Sequence, residues 1–192
     1  MKRNDLKNKH KYIEDVNFKK LIIIYTMALQ KVKVILEDLK EKLNNKKEYD
    51  LIRNISVRIK APDSIIDKMM KKGYSLTYQT LIEKINDIAG ARIICMSNDD
   101  VYKIVKEIEG LKGIEILNRK DYIKNPKKSG YSAYHIILEI PIYLENTKVW
   151  IKVEIQIRTL AMDLWANLEH DISYKGIKRF PIKYIEQVTV VK

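Results

Sequence analysis

Cysteine is all but missing from this chain of 192 residues. The single Cys95 sits in the apolar run ARIICM and reads as a small buried hydrophobe, which excludes an internal disulfide framework or a zinc cage built on thiolates. Histidine is nearly as scarce: His10, His135 and His170 are too scattered for a metal centre, and the His170-Asp171 dipeptide lacks the further ligands of a metal phosphohydrolase. There is no apolar run of about 18 residues, so no segment is expected to span a membrane. The start, MKRNDLKNKHKYIED, carries charge with no apolar stretch behind it; no signal peptide is expected, and the setting is read as cytoplasmic. Internal repeats and low-complexity segments are absent as well.

Excess negative charge is the last absence, and it points to a partner. Lys and Arg number 37 against 25 Asp and Glu, a net charge of +12, which invites a nucleotide or nucleic-acid reading. Thirty of those cations are lysines spread along a chain also rich in Ile and Asn, so part of the excess reads as solvated surface. The seven arginines say more, because a guanidinium fork matches phosphates and stacks on flat rings. Arg58, Arg92 and Arg158 fall on predicted strands, where ligand-binding arginines would be held rigidly. An apolar share of 46% and a charged share of 32% fit a globular protein, and the length suits one domain with a real core.

The chain is organised around residues 124–159, KNPKKSGYSAYHIILEIPIYLENTKVWIKVEIQIRT. Its last strand alternates Ile151, Val153, Ile155 and Ile157 with Lys152, Glu154, Gln156 and Arg158, a strict period of two. Successive side chains of a strand point to opposite faces, so one face buries branched aliphatics and the other lines up ionic and amide groups. An ordinary surface strand has the same look. Repetition favours more: Ile55, Val57 and Ile59 alternate with Ser56, Arg58 and Lys60 in the same manner, which predicts one sheet with a charged, ligand-facing side.

In chain order, residues 1–16 are polar and expected to be flexible, 17–176 form the domain, and the tail 177–192 cannot be placed. Apolar positions at helical spacing predict a long amphipathic helix over 18–44. Strand 55–60 leads to a short helix started by Pro62 and Asp63 and stopped at Gly73, and a further helix covers 77–85. Strand 88–96, a helix over 99–109 capped from Asn98 to Asp100, strands 114–123, 131–144 and 148–158, and a helix capped by Thr159 complete the domain. Strands and helices mixed without regular βαβ alternation predict an α+β fold, a mixed sheet covered by helices on one face.

Arg58 and Lys60 share a strand face, and Ser64 and Lys68 lie one helical turn apart on the helix that follows, which would make a phosphate cradle from a strand end and a helix N-terminus. Solvated lysines are the plain alternative, and the segment has none of the glycines of a P-loop. Asp87 and Glu154 are acids at the start of one strand and inside another; pyrophosphoryl transfer needs Mg²⁺ held by one or two carboxylates among cations. A glutamate between two isoleucines is costly without a role or a partner, and Lys152, Arg158 or His135 could be that partner. Tyr131, after Gly130, could stack on a base, with His135 four residues on along the same face.

Taken together these residues resemble the synthetase domain of the RelA/SpoT superfamily, in size a stand-alone small alarmone synthetase. The blocks SVRIKAPDSIIDKM, NDIAGARIIC, KDYIKNPKKSGYSAYH, VEIQIRT and DLWANLEHDISYK occur in that family's order over about 55–175. The resemblance implies a nucleotidyltransferase-like fold and transfer of pyrophosphate from ATP to the 3′-hydroxyl of GMP, GDP or GTP, giving (p)ppGpp-type alarmones, by synthesis only. Arg58 and Arg92 would flank adenine; Lys60, Ser64 and Lys68 would hold the ATP phosphates; Asp87 and Glu154 would hold Mg²⁺, with Glu154 as the base. Tyr131 would stack on guanine, and Lys120, Lys127, His135, Gln156 and Asp163, together with Arg158, would bind or orient the acceptor. Where the family's turn reads N-G-Y-R-S-x-H, this chain has Ser129, Ser132 and Ala133 at the Asn, Arg and Ser positions, which leaves acceptor preference open. The resemblance also implies a homo-oligomer, a tetramer if the tail permits. The alternatives are a toxin-like relative acting on adenine nucleotides or the 3′ end of tRNA, and a basic module binding single-stranded RNA.

Overall fold

The computed structural model describes residues 9, 11–45 and 49–175, with the backbone alone over 170–175. The expected tail 177–192, most of the expected flexible segment 1–16 and the His170-Asp171 side chains lie outside the described residues. Within that N-terminal segment, the Tyr12 ring stacks on Tyr78 at a centroid distance of 5.2 Å.

The long helix α1 runs Val16–Asn44 and begins two residues earlier than its apolar pattern, because Asp15 caps it: its carboxylate accepts from the backbone N–H of Asn17 at 2.7 Å and of Phe18 at 3.4 Å. Phe18, Tyr25, Ala28, Leu29, Val32, Leu36 and Leu39 recur every three or four residues and are all buried. Full burial of side chains of this size contributes about 1.5–3 kcal/mol each. At the far end, the Asn44 amide accepts from Ile52 N–H and donates to Ile52 C=O, both at 3.0 Å, imitating a strand pair and aiming the chain into the sheet.

Among the described residues the five strands are β1 (Asn54–Ile59), β2 (Ala89–Cys95), β3 (Glu115–Asp121), β4 (Tyr134–Leu144) and β5 (Thr147–Thr159), ordered β1-β2-β5-β4-β3. Only the β2–β5 pair is parallel, so the sheet is mixed, and with its helices the fold is the α+β class expected. Between β1 and β2 lie α2 (Pro62–Lys71) and α3 (Tyr78–Lys84); α4 (Asn98–Glu109) follows β2, and α5 (Leu160–Lys175) follows β5. Gly73, at φ +69°, ends α2 where an L side chain would be strained. The helix α4 is capped one residue before the expected Asn98. Ser97 Oγ accepts from Asp100 N–H and an Asp100 carboxylate oxygen accepts from Ser97 N–H, a reciprocal capping box.

The alternate residues of the strands divide as their pattern requires. Ile151, Val153, Ile155 and Ile157 of β5 are buried with Ala89, Ala91 and Ile93 of β2 and Ile136, Leu138 and Ile140 of β4, in one core with α1 and α4. Ile65, Ile66 and Met69 bring α2 into the same core. The expected start of β4 at Tyr131 moves to Tyr134: Gly130 turns the chain at φ +81°, and residues 131–133 approach the sheet as a loop held by Tyr122 N–H on Ala133 C=O at 2.9 Å.

Candidate active site

Register alone assembles the opposite face of the sheet. Ser56 pairs with Arg92, Arg92 with Gln156, Gln156 with His135 and His135 with Lys120, a row across all five strands. One step along, Arg58 pairs with Gly90, Gly90 with Glu154, Glu154 with Ile137 and Ile137 with Asn118. Gly90 is the gap in this second row: a Cβ there would meet nothing nearer than 3.9 Å, so the absent side chain leaves open floor between Arg58 and Glu154. Above the rows is an open cleft of about 860 Å³, lined by eight Lys or Arg side chains against three carboxylates. Such an imbalance, focused between low-dielectric walls, suits a ligand with several negative charges.

At the β1 end, Asp87 is held by two lysines. Lys68 Nζ donates to Oδ1 at 2.7 Å and Lys60 Nζ to Oδ2 at 3.1 Å. Burial would push this carboxyl up, but the Lys68 hydrogen bond and the two positive charges outweigh it and hold Asp87 below the ordinary carboxylate range. Lys68 and Asp87 line the cleft; Lys60 reaches Asp87 without lining it, and Ser64 is exposed on the first turn of α2 outside the cleft wall. The expected cradle is therefore two lysines and Asp87, with Ser64 at its edge.

Glu154 occupies the centre. His135 Nδ1 lies 3.2 Å from Oε1, and Gln156 Nε2 donates to Oε2 at 2.7 Å. Burial raises this carboxyl, and the hydrogen bonds from His135, above all, and from Gln156 bring it below its ordinary value, so it is ionised at neutral pH. Of the three partners the pattern offered, His135 is the direct one. Lys152 instead donates to the Ile82 and Glu83 carbonyls at 3.2 and 3.1 Å, and Arg158 reaches Glu154 only through intermediaries.

Tyr131 is 9% exposed, with its hydroxyl 2.7 Å from His135 Nε2 and receiving Arg158 Nη2 at 2.8 Å. Burial pushes its phenol up, against the opposing charge of Arg158. The Lys127 ammonium sits 4.4 Å from the Tyr131 ring and 4.9 Å from that of Tyr122, so Lys127 is placed by aromatic faces at the cleft rim. The turn that carries it rests on Trp165: a Cβ on Gly130 would lie 3.4 Å from the indole nitrogen. Asp163 joins two of the arginines. Its Oδ1 takes Arg158 Nη1 at 2.9 Å and Arg92 Nη1 at 3.1 Å, and its Oδ2 has Asn167 at 3.4 Å. Burial and the like charge of Arg158 lower the Arg92 pKa.

Eleven of the fourteen residues expected from the sequence line one cleft: Arg58, Lys68, Asp87, Arg92, Lys120, Lys127, Tyr131, His135, Glu154, Gln156 and Arg158. The wall also contains residues the sequence reading passed over, notably Asn118, Tyr122 and Asn167. The first two alternate with Lys120 at a period of two, a signal that was there to be read. Among the described residues no group of three or more His, Cys, Asp or Glu could hold a metal alone. Mg²⁺ is commonly bound by one or two carboxylates completed by substrate phosphates and water, and two ionised acids facing a cationic cleft fit that manner of binding.

Residues 57–179 match the family model described as the region found in RelA / SpoT proteins. The GTP pyrophosphokinase YwaC of Bacillus subtilis is 38% identical over 159 residues, covering 83% of this chain and 76% of that protein. The small alarmone synthetase 1 of Bacillus subtilis, solved with its product pppGpp, superposes with a TM-score of 0.79 at 31% identity, covering 91% of this chain and 88% of that one. The same enzyme solved with AMPCPP gives a TM-score of 0.73 at 28% identity, covering 91% and 88%. Among the described residues no helix is long and apolar enough to cross a membrane.

Proposed function

This chain belongs to the RelA/SpoT family, and from that membership we propose that it is a GTP pyrophosphokinase, a small alarmone synthetase that moves pyrophosphate from ATP to the 3′-hydroxyl of a guanosine nucleotide. The observation that carries the reading is the meeting, over one polar sheet face, of two ionised carboxylates, Asp87 and Glu154, with eight cations in a cleft of nucleotide size. Names of relatives favour a guanosine acceptor over an adenine nucleotide or tRNA, and the relative solved with AMPCPP supports ATP as donor.

Arg58 and Arg92 flank the adenine, and Lys60 and Lys68 exchange Asp87 for phosphate oxygens as ATP enters. Mg²⁺, when held by Asp87 and Glu154, neutralises charge on the phosphates. Lys120, Lys127 and His135 hold the acceptor's phosphates and ribose, and Tyr131 meets its base. Glu154 takes the proton of the 3′-hydroxyl as that oxygen bonds to the β-phosphorus of ATP. The bond from that phosphorus to the α–β bridging oxygen breaks, and AMP leaves with the electron pair. Positioning and charge neutralisation carry most of the acceleration in such transfers. The reading includes a cytoplasmic setting and a homo-oligomer, and the net charge of +12 supports single-stranded RNA as a further partner.

The test is incubation with γ-labelled ATP, Mg²⁺ and, separately, GMP, GDP, GTP, AMP, ADP and bulk tRNA, with products resolved by charge. Label on one or more guanosine nucleotides is expected. Label confined to adenosine nucleotides or tRNA would replace the guanosine assignment, and no transfer at all would remove the enzymatic one.

A further inference from the structure

Among the described residues Arg158 is the one Lys or Arg that is buried, 5% exposed, and a buried guanidinium is costly unless its donors are engaged. Its Nε has no partner, so the side chain is held by its two terminal nitrogens. Nη1 donates to Asp163 Oδ1 at 2.9 Å; Nη2 donates both to the Tyr131 hydroxyl at 2.8 Å and to Gln156 Oε1 at 2.7 Å. From Nη2 two branches run to one carboxylate. Through Gln156, whose Oε1 accepts from Arg158, the amide nitrogen donates to Glu154 Oε2 at 2.7 Å. Through Tyr131, the hydroxyl meets His135 Nε2 at 2.7 Å and His135 Nδ1 meets Glu154 Oε1 at 3.2 Å.

Donor inventory gives this ring a direction. A guanidinium has no acceptor and an ionised carboxylate no donor, so the Tyr131 oxygen receives from Arg158 and His135 Nδ1–H donates to Glu154, which leaves Nε2 to accept the Tyr131 hydrogen. Every bond then points from Arg158 towards Glu154, and no donor faces a donor. Given the pyrophosphokinase reading, on which this step rests, we propose that Arg158 is a positioning residue: one buried nitrogen sets the orientation of the base Glu154 and of the acceptor platform Tyr131, with Asp163 fixing the guanidinium. The role needs the planar fork as well as the charge, since a lysine offers a point charge on a flexible stem.

The experiment uses the full chain and has one readout of activity and one independent of it. Arg158→Lys is expected to lower kcat about 10- to 100-fold and raise the acceptor KM, with the ATP KM within about threefold, as for loss of alignment at the reacting atoms. Tyr131→Phe, which removes one hydroxyl and cuts one branch, is expected to lower kcat about 3- to 10-fold, and to add less than about twofold in the Arg158→Lys background, because residues acting as a unit are not additive. A Lys variant with wild-type kcat, full additivity, or an unaffected Tyr131→Phe would overturn the proposal. Should Arg158→Lys fail to fold, the Tyr131→Phe result decides. The second readout is the ¹⁵N spectrum of the imidazoles at about pH 8, with His135 assigned through His135→Gln. The expected result is the His135 tautomer with hydrogen on Nδ1, shifting to a mixture in Tyr131→Phe; hydrogen on Nε2 in the wild type would overturn the ring. A wild type inactive towards every acceptor would remove the function reading, whereas the tautomer would still decide the ring.

Discussion

The two faces of this sheet are made by neighbouring residues of the same strands, yet they are stabilised by opposite means. On the α1 side, Ile155 and its neighbours are buried in aliphatic contact, each replaceable in kind and none dependent on a single partner. On the cleft side, Glu154 and Gln156, one residue either way, are held by specific donors, and Lys60, Lys68, Arg92 and Arg158 each meet a carboxylate. The apolar face carries stability because burial is non-directional and summed over many contacts. The polar face carries chemistry because its carboxylates are half-buried, ionised and aimed. Substitutions on the two faces should therefore separate stability from turnover.

The largest separation is expected at Glu154. Glu154→Gln removes the base and keeps the shape, so kcat should fall about 1,000-fold, within the range for general-base loss, while melting by circular dichroism is held. Undiminished turnover in that variant would break the comparison. One residue along, Ile155→Ala should do the reverse, costing about 2–5 kcal/mol and lowering the melting temperature by about 5–15 °C, with kcat of the folded enzyme at low temperature nearly unchanged. Tyr131→Ala comes next. It should raise the acceptor KM about 10-fold or more, as for loss of one base-stacking ring, with a smaller change in the ATP KM. An unchanged acceptor KM would count against the platform.

A smaller effect sharpens the comparison by placing a charge on the helix side. Asp100 is buried in the α4 capping box and also receives the Tyr49 hydroxyl at 3.1 Å. Burial raises its carboxyl, but the Ser97 and Tyr49 hydrogen bonds with Lys103 outweigh it, so the folded pKa lies below the unfolded one. Its contribution is therefore present above the ordinary carboxylate pKa and lost as pH falls through the depressed one. Asp100→Ala should cost about 1–2 kcal/mol near neutral pH and flatten the acid limb of the stability curve, with little effect on turnover. Denaturant titrations between about pH 3 and 7 measure it.

Much of this was legible in the chain. The period of two in β5 separates Ile155 from Glu154 before any contact is known, and the helical spacing from Phe18 to Leu39 marks the buried side of α1. Both signals depend only on local geometry. Residues off the regular elements were harder. Lys60 lies just beyond the end of β1, where alternation stops, and it pairs with Asp87 without lining the cleft. Asp163 meets Arg92 and Arg158 because Thr159 turns β5 directly into α5, Thr159 Oγ1 accepting from Met162 N–H at 3.2 Å; no pattern along the sequence records that return. Asn118 and Tyr122 were missed because the edge strand β3 is exposed on most positions and offers no apolar stripe to phase its polar one. The Ser97 cap was misplaced by one residue in a run of four good capping residues, Ser97 to Asp100.

The central claim is that the polar face moves pyrophosphate as a unit to a guanosine 3′-hydroxyl. The most direct measurement is ³¹P NMR of one reaction of the full chain with ATP, GDP and Mg²⁺, followed to completion. The account expects AMP and a guanosine nucleotide bearing a 3′-diphosphate in equal amounts, and neither from Glu154→Gln. ADP with inorganic phosphate, or ADP with a singly phosphorylated 3′ position, would contradict it.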